Sequence, residues 1–291
     1  MVARTRKKAE RGSRAFVDVW IDCFAKHNLL TYASAIAFQL LIALVPLVVL
    51  TLGVLGALGE QSVWKKQISP GIERRLPGPT WDAVNYAAKQ ILTHASAGLI
   101  AFGVVLTIWE LSGSVRAAMG AMNRMYETEE ERSRWLRFGV SFGLAVAIGA
   151  CLLGAILVLT LAKHLGGSAH ALVDVGRWIL GVLLLGVAVE LLVRFAPAEP
   201  RAKRWVTLGS AFIVVAWVVA SLIFRVYVTS VASFRSTIGS FVAVLVLTAY
   251  LNVSAIVFLV GVQVDELIRK DAARGERGML DHVRAALGQE A

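Results

Sequence analysis

The stretch from Thr31 to Gly59 reads TYASAIAFQLLIALVPLVVLTLGVLGALG and contains no charged side chain. Its 29 residues include one glutamine, Gln39, and one proline, Pro46. A helix of roughly 20 apolar residues crosses a bilayer core about 30 Å thick, so this stretch is long enough to span a membrane with some tilt. Pro46 is expected to kink the helix, and neighbouring helices can satisfy the carbonyl group that it leaves unpaired. The stretch therefore predicts a membrane protein built around this first span.

The composition of the whole chain supports the same class of protein. Of its 291 residues, 57% are hydrophobic and 17% are charged, and the mean hydropathy is +0.67. A soluble domain is nearer a quarter charged. The net charge of +10 comes from Lys and Arg that flank the apolar stretches, which favours an anionic membrane surface over nucleic acid as the partner. Cys23 and Cys151 lie far apart without a CxxC spacing, so we interpret them as separate buried thiols.

Five more apolar stretches follow the first. Together they predict an all-α, polytopic membrane protein with six transmembrane helices plus two amphipathic interfacial helices. The predicted six-span membrane domain covers residues 31–268, with spans at about 31–59, 97–122, 138–162, 177–196, 206–228 and 239–267.

The amphipathic segments and the charged ends complete the predicted organisation. Residues 1–30 combine a basic arm with a helix whose apolar residues recur at helical spacing. Residues 60–96 form an extracytoplasmic loop, in which a second amphipathic helix is predicted to begin with Thr80 as its N-cap. Residues 269–291 are predicted to be a charged cytoplasmic tail.

Lys and Arg are distributed unequally over the two sides that six spans define. Twenty of the 30 lie on the side of the termini, nine lie on the other side, and Arg116 lies inside a span. Cytoplasmic loops of membrane proteins carry the excess of Lys and Arg. The sequence therefore predicts that both termini are cytoplasmic.

Three sequence motifs occur in a characteristic order along the chain. The first span contains YASAIAFQLLIALVPLVVL, the second ends in WELSGSVRAAMGAMNRMYETEEER, and the last third contains RFAP and then GSFVAVLVLTAYLNVSAIVFLVGVQVDE. In this order and spacing they resemble the YihY/BrkB family of bacterial inner-membrane proteins, long labelled ribonuclease BN-like. The resemblance implies a multi-pass protein of the bacterial plasma membrane with six helices and cytoplasmic termini. It indicates the fold better than the activity.

The chain departs from the family pattern near its last span. Ile238 stands where the family usually has Tyr, and Gln263 and Asp265 stand where Glu and Asn are usual. If the closing carboxylate of the family couples protons or does chemistry, Gln263 lacks the group for that role.

Polar side chains inside the predicted spans are the candidate functional residues. Such groups are costly in lipid and usually face a bundle interior or a watery cavity. At a rise of about 1.5 Å per residue, they fall in the cytoplasmic half or the middle of the bundle. We interpret six of them as lining one cavity: Gln39, Glu110, Arg116, Glu190, Asn252 and Gln263. Alternatively, Arg116 and Glu190 pair with each other, while Gln39 and Asn252 only join helices by hydrogen bonds.

Catalytic motifs are not evident in the sequence. The five histidines are scattered, and no HExxH, P-loop or GxSxG pattern occurs. The acidic run from Glu127 to Glu131 alternates with arginines and is typical of a solvated, ion-paired turn. We therefore predict no catalytic residue, no metal and no cofactor.

Three functional hypotheses remain open at this point. The first is a transporter or exporter of a lipid-like or anionic amphipathic molecule, with membrane lipids and their anionic headgroups as partners. The second is a non-catalytic membrane scaffold that binds an envelope protein. The third, a ribonuclease, rests only on the family label. Nucleic acid is not expected as a partner, and the sequence leaves the oligomeric state open.

Overall fold

The computed structural model describes residues 28–161, 170–198, 207–230 and 237–272. The arm, the first predicted amphipathic helix and most of the charged tail lie outside these residues. Long helices are α1 (Leu29–Ala57), α5 (Ala97–Met125), α6 (Arg134–Leu161), α7 (His170–Phe195), α8 (Leu208–Ser230) and α9 (Thr237–Ala272). Between α1 and α5 lie α2 (Gln61–Val63), a π-helical turn (Trp64–Ile68), α3 (Ser69–Glu73) and α4 (Gly78–Thr93).

The six long helices are each long and apolar enough to cross a membrane. The prediction of an all-α membrane protein with six spans is therefore confirmed. Most helices extend a few residues beyond the predicted spans: α6 begins at Arg134, and α9 continues to Ala272. We call the side where α1 begins and α9 ends the basic end of the bundle, because the two terminal segments and the sequences 124–137 and 194–204 carry 20 of the 30 Lys and Arg.

Helix α1 is continuous, and Pro46 lies buried inside it. The helix ends in a Schellman motif, in which Glu60 N–H donates to the Leu55 carbonyl at 2.9 Å and Gly59 N–H donates to the Gly56 carbonyl at 3.1 Å. Gly59 has a φ of +74°, which glycine adopts without steric cost. The first span was predicted to end at residue 59, and the helix ends two residues earlier, at Ala57.

Helices α1 and α5 pack closely in antiparallel orientation. Glycines supply the room, because a Cβ at any of them would lie within about 3.2 Å of a side chain on the other helix. The contacts follow one register along the seam: Gly53 with Ile100, Leu50 with Gly103, Gln39 with Gly113, and Tyr32 with Gly120.

A small helical layer covers the end of the bundle opposite the basic end. The rings of Trp64 and Trp81 stack with their centres 6.3 Å apart, in an apolar cluster that also includes Leu52 and Leu55 of α1. The Gln67 side chain donates to the Thr160 carbonyl at the end of α6. The predicted N-cap at Thr80 is wrong, because α4 already begins at Gly78 after Pro77. A proline near a helix start is favourable, since the N–H that it lacks has no partner inside the helix.

Candidate functional site

A cavity of about 270 Å³ lies among the six long helices. It is lined almost entirely by apolar side chains from every span, including Ile36, Val115, Ile148, Val189, Trp217 and Phe258. Counted along α1, α5 and α7, these residues lie in the half of the bundle nearer the basic end and at its middle. Apolar walls favour a hydrocarbon ligand over a charged one, because a charge would lose its hydration without gaining partners.

The few polar groups of this cavity lie on α5, α8 and α9. Ser114, Tyr250 and Ser254 are among the lining residues. The Trp217 indole N–H donates to the Ser254 carbonyl at 2.8 Å, and the Tyr250 hydroxyl lies 2.7 Å from the Ser221 hydroxyl. These bonds join α8 to α9 and hold both aromatic rings against the cavity.

A second, more open groove runs between α7 and α8. It has a volume of about 420 Å³ and apolar walls, and Glu190 and Ser210 are its polar lining residues. Gly186 and Ala211 provide the room, since neither has a side chain larger than a methyl group. Of the six residues predicted to line a cavity, only Glu190 lines either of these two spaces.

The first turn of α8 receives two carboxylates from neighbouring helices. Asp265 of α9 accepts hydrogen bonds from the Thr207 hydroxyl and from the Gly209 N–H. Glu190 of α7 lies beside the Ser210 hydroxyl and the Thr207 backbone, close enough to Asp265 and Arg194 for their charges to interact. The N-terminus of a helix has unpaired N–H groups and a partial positive charge, so it stabilises such carboxylates.

Gln39 lies on the α1–α5 seam, whereas Arg116 of α5 contacts Phe138 of α6. The Gln39 amide packs on Gly113, where a Cβ would lie 2.7 Å from its Oε1. Arg116 donates from Nη1 to the Ser112 hydroxyl at 2.9 Å, and its guanidinium carbon lies 4.9 Å from the centre of the Phe138 ring. The charged neighbour of Arg116 is Arg137, whereas the charged neighbours of Glu190 are Asp265 and Arg194. The structure therefore does not bring Arg116 and Glu190 together as an ion pair.

The remaining three predicted residues lie in different surroundings. Glu110 is half-buried near the midpoint of α5. Asn252 of α9 donates from Nδ2 to the Ser34 hydroxyl of α1 at 3.2 Å, so it joins two helices. Gln263 is only 3% exposed, and within the described residues its Oε1 has no hydrogen-bond partner.

Two loops are joined at the basic end. Asn123 donates from its amide nitrogen to Glu130 at 2.8 Å, and its amide oxygen accepts from the Ala198 N–H at 2.9 Å. Arg132 donates to the carbonyls of Ala196 and Pro197. The acidic turn and the RFAP segment, two of the motifs noted in the sequence, are therefore one hydrogen-bonded unit. Glu130 takes part in this unit rather than pointing only to solvent.

Sequence reasoning missed two parts of the site. It did not find the cavity walls, since apolar residues inside a span look alike whether they face lipid or a cavity. It identified Asp265 only as a departure from the family pattern. Thr207, Gly209 and Ser210 come just before a long apolar stretch, and such residues are typical of a helix start, whose free N–H groups can bind a carboxylate. Among the described residues, no three His, Cys, Asp or Glu side chains form a group that could hold a metal ion.

Comparison with known proteins places the chain in a family. The family model described as Virulence factor BrkB matches residues 20–283. A ribonuclease-like protein, YfkH of Bacillus subtilis (strain 168), is 26% identical over 209 residues, which are 68% of this chain and 76% of that protein. A UPF0761 membrane protein of Stenotrophomonas maltophilia (strain R551-3) is 26% identical over 237 residues, covering 78% of this chain and 55% of that protein. No solved structure matches the chain. The protein belongs to the BrkB family of integral membrane proteins.

Proposed function

We propose that this protein carries a lipid-like or anionic amphipathic molecule across a bacterial plasma membrane. The observation that carries the proposal is the cavity of about 270 Å³ that all six spans surround. A bundle that served only as an anchor could close its core fully, as protein interiors usually do. A space of this kind with apolar walls suits the hydrocarbon part of an amphiphile.

The proposal places the basic end, with both termini, in the cytoplasm. The support is the excess of Lys and Arg at that end, 20 against nine. These cations would also concentrate anionic lipid headgroups near the bundle, at about 1 kcal/mol for each basic residue close to the surface. The proposal assigns no catalytic step, metal or cofactor to the chain.

A route for the headgroup is proposed along residues 110–116 of α5. Gln39 packs on Gly113, and Glu110 and Arg116 lie three residues before and after that glycine. Residues three apart are neighbours on a helix surface, so the Gln39 amide lies between the levels of the other two. In this proposal the three side chains solvate the polar part of the cargo while its chain occupies the cavity.

The experiment measures lipid movement across vesicles that contain the purified protein. Vesicles with fluorescent phosphatidylglycerol in both leaflets are treated with dithionite, which bleaches only the outer leaflet. The protein should raise the fraction that is bleached within minutes above that of protein-free vesicles. Ala255→Leu and Ala118→Leu, which fill the cavity, should reduce this movement at least about threefold.

The matched control is Ala150→Leu, because Ala150 lies on the exposed face of α6. It should move lipid at the rate of the original protein. If the original protein moves no lipid, or if the cavity variants are as active as this control, the proposal is wrong.

The alternative of a scaffold is favoured by one observation, the surface of the layer at residues 61–93. Its cationic side chains Lys65, Lys66, Arg74 and Arg75 are exposed, and so is Tyr86 of α4. An acidic envelope protein could bind there by charge complementarity. A scaffold predicts lipid movement no faster than in protein-free vesicles, so the same assay separates the two functions.

A further inference from the structure

The groove between α7 and α8 is exposed to the membrane interior. Three of its wall residues, Leu183, Val187 and Val215, have 58%, 48% and 62% of their surface exposed. The floor of the groove is formed by Gly186 and Ala211, whose side chains are too small to fill it. In a bilayer, a hydrocarbon chain fills such an apolar groove, since water would find no hydrogen-bond partner on the walls.

The end of the groove nearer the basic end is polar. Glu190 and Ser210 line it. The Glu190 carboxylate lies beside the Ser210 hydroxyl and the Thr207 backbone, and it remains half-exposed. An ionised carboxylate has about four acceptor positions, so these two neighbouring groups leave at least about two of them open. A ligand in the groove can therefore donate a hydrogen bond to Glu190.

A positive charge follows one turn farther toward the basic end. Arg194 lies four residues after Glu190 on α7, which corresponds to about 6 Å along the helix axis, and its charge acts on the Glu190 carboxylate. From the middle of the membrane outward, the groove thus presents an apolar channel and a carboxylate acceptor, and Arg194 follows one turn beyond its lining residues.

We propose that this groove is a binding site for a lysophospholipid, a single-chain phospholipid with a free hydroxyl between its acyl chain and its phosphate. The acyl chain occupies the groove, the hydroxyl donates to Glu190, and the phosphate lies at the level of Arg194. A diacyl lipid carries an ester and a second chain where the hydroxyl would be, so it offers Glu190 no donor. This site is separate from the central cavity, and the proposal does not rest on the proposed transport.

Native mass spectrometry of the full chain in detergent tests the role of the hydroxyl. The probes are lysophosphatidate and its 2-deoxy analogue, which lacks only that hydroxyl. The original protein should bind lysophosphatidate about tenfold more tightly, because a hydrogen bond to a charged group contributes that much. In Glu190→Gln the preference should fall to about twofold or less. The substitution also removes a negative charge near the phosphate. Because both probes carry the phosphate, this effect cancels in the ratio of their two affinities.

A second pair of variants tests the groove itself. Gly186→Leu fills the floor and should weaken binding of both probes at least about fivefold. Gly176→Leu adds the same side chain to α7 where nothing lies within 4 Å of the new Cβ, so binding should not change. Equal binding of the two probes by the original protein, or a preference that survives in Glu190→Gln, would overturn the proposal. Equal binding of lysophosphatidate and diacyl phosphatidate would also overturn it.

The two proposals fail in distinguishable ways. Loss of the hydroxyl preference leaves lipid movement by the central cavity unaffected, and a protein that moves no lipid can still show the hydroxyl preference.

Discussion

The Asp265 carboxylate of α9 accepts a 2.7 Å hydrogen bond from the backbone N–H of Gly209 in the first turn of α8. It also accepts from the Thr207 hydroxyl just before that turn. The residue that precedes a helix commonly caps it, and the Thr207 hydroxyl does so here by accepting from the Ser210 N–H. Asp265 adds a second acceptor, which comes from a different span. The contact therefore fixes the position of α8 relative to α9 as well as capping α8.

Loss of this cap should destabilise the bundle. We expect Asp265→Ala to lower the free energy of unfolding by about 1–2 kcal/mol, the usual cost of a lost N-cap. Asp265→Asn should cost less, because its amide oxygen still accepts one hydrogen bond. Thermal denaturation of the detergent-solubilised protein measures both, with the exposed Asp82→Ala on α4 as control. Melting temperatures that match this control would show that the cap contributes no stability.

Helices α8 and α9 cross so closely that Gly209 and Gly261 should not be replaceable by a residue with a side chain. A Cβ at Gly261 would lie 2.8 Å from the Gly209 carbonyl oxygen, and a Cβ at Gly209 would collide with the Gly261 carbonyl. We expect Gly261→Ala and Gly209→Ala each to cost about 2 kcal/mol or more, because overpacking forces the backbones apart.

The control for this prediction lies on α6. Gly139 and Gly143 have the GxxxG spacing that often allows close helix contact, yet nothing lies within 4 Å of a Cβ at either position. Gly139→Ala and Gly143→Ala should leave stability unchanged or raise it slightly, since alanine favours a helix. A larger loss of thermal stability from the α6 substitutions than from Gly261→Ala would contradict the observed packing.

The contrast between these glycines shows how far the sequence determines the fold. The spans were predictable, because an apolar stretch such as 31–59 has few alternatives in a membrane. The face that each helix uses for close contact was not predictable. Gly139 and Gly143 have the spacing expected for such a face but make no close contact, whereas Gly209 and Gly261 make one without any such spacing. Close approach depends on which helices cross, and that is set by long-range packing. The sequence likewise predicts that the loop 60–96 becomes helical only from Thr80, but Pro70, Pro77 and Pro79 already lie within or beside the first turns of α3 and α4.

The seam between α1 and α5 allows a double-substitution test of Gln39. A Cβ at Gly113 would lie 2.7 Å from the Gln39 Oε1. We expect Gly113→Ala to lower the melting temperature by several degrees, as a loss of about 1–2 kcal/mol would. Adding Gln39→Ala removes the clash, so the double variant should be more stable than Gly113→Ala alone. Strictly additive losses would show that the two residues do not contact each other.

The candidate site was less predictable than the fold. The depth of a polar residue follows from its place in a span, which is why Gln39, Arg116 and Glu190 could be assigned to one half of the bundle. The direction in which a side chain points requires the rotation of each helix about its axis, and a span that is apolar on all faces does not reveal it. For Asn252 the sequence left open whether it lines a cavity or joins helices, and in the structure its side chain donates to Ser34 of α1.

Reporter fusions test the assignment of the basic end to the cytoplasm. Alkaline phosphatase is active only outside the cytoplasm, so a fusion after Ala291 should be inactive. A fusion to a truncation after Ser168, between α6 and α7, should be active. A truncation after Ala198, which follows α7, should again be inactive. Activity after Ala291 would overturn the six-span topology with cytoplasmic termini, because the charge distribution would then be reversed relative to the membrane.

Glu130 provides a direct test of the ribonuclease-like name that one relative carries. Its carboxylate accepts from the Asn123 amide and lies 3.8 Å from the Arg132 Nε. Arg132 itself donates to the carbonyls of Ala196 and Pro197. We expect Glu130→Ala to lower thermal stability by about 1 kcal/mol through loss of these partly buried contacts. Neither this variant nor the original protein should cleave a precursor tRNA, since the role of Glu130 is to join two loops. Glu129→Ala, an exposed neighbour, serves as the control for stability. Cleavage that purifies with the original protein and disappears in a folded Glu130→Ala variant would instead assign this turn to catalysis.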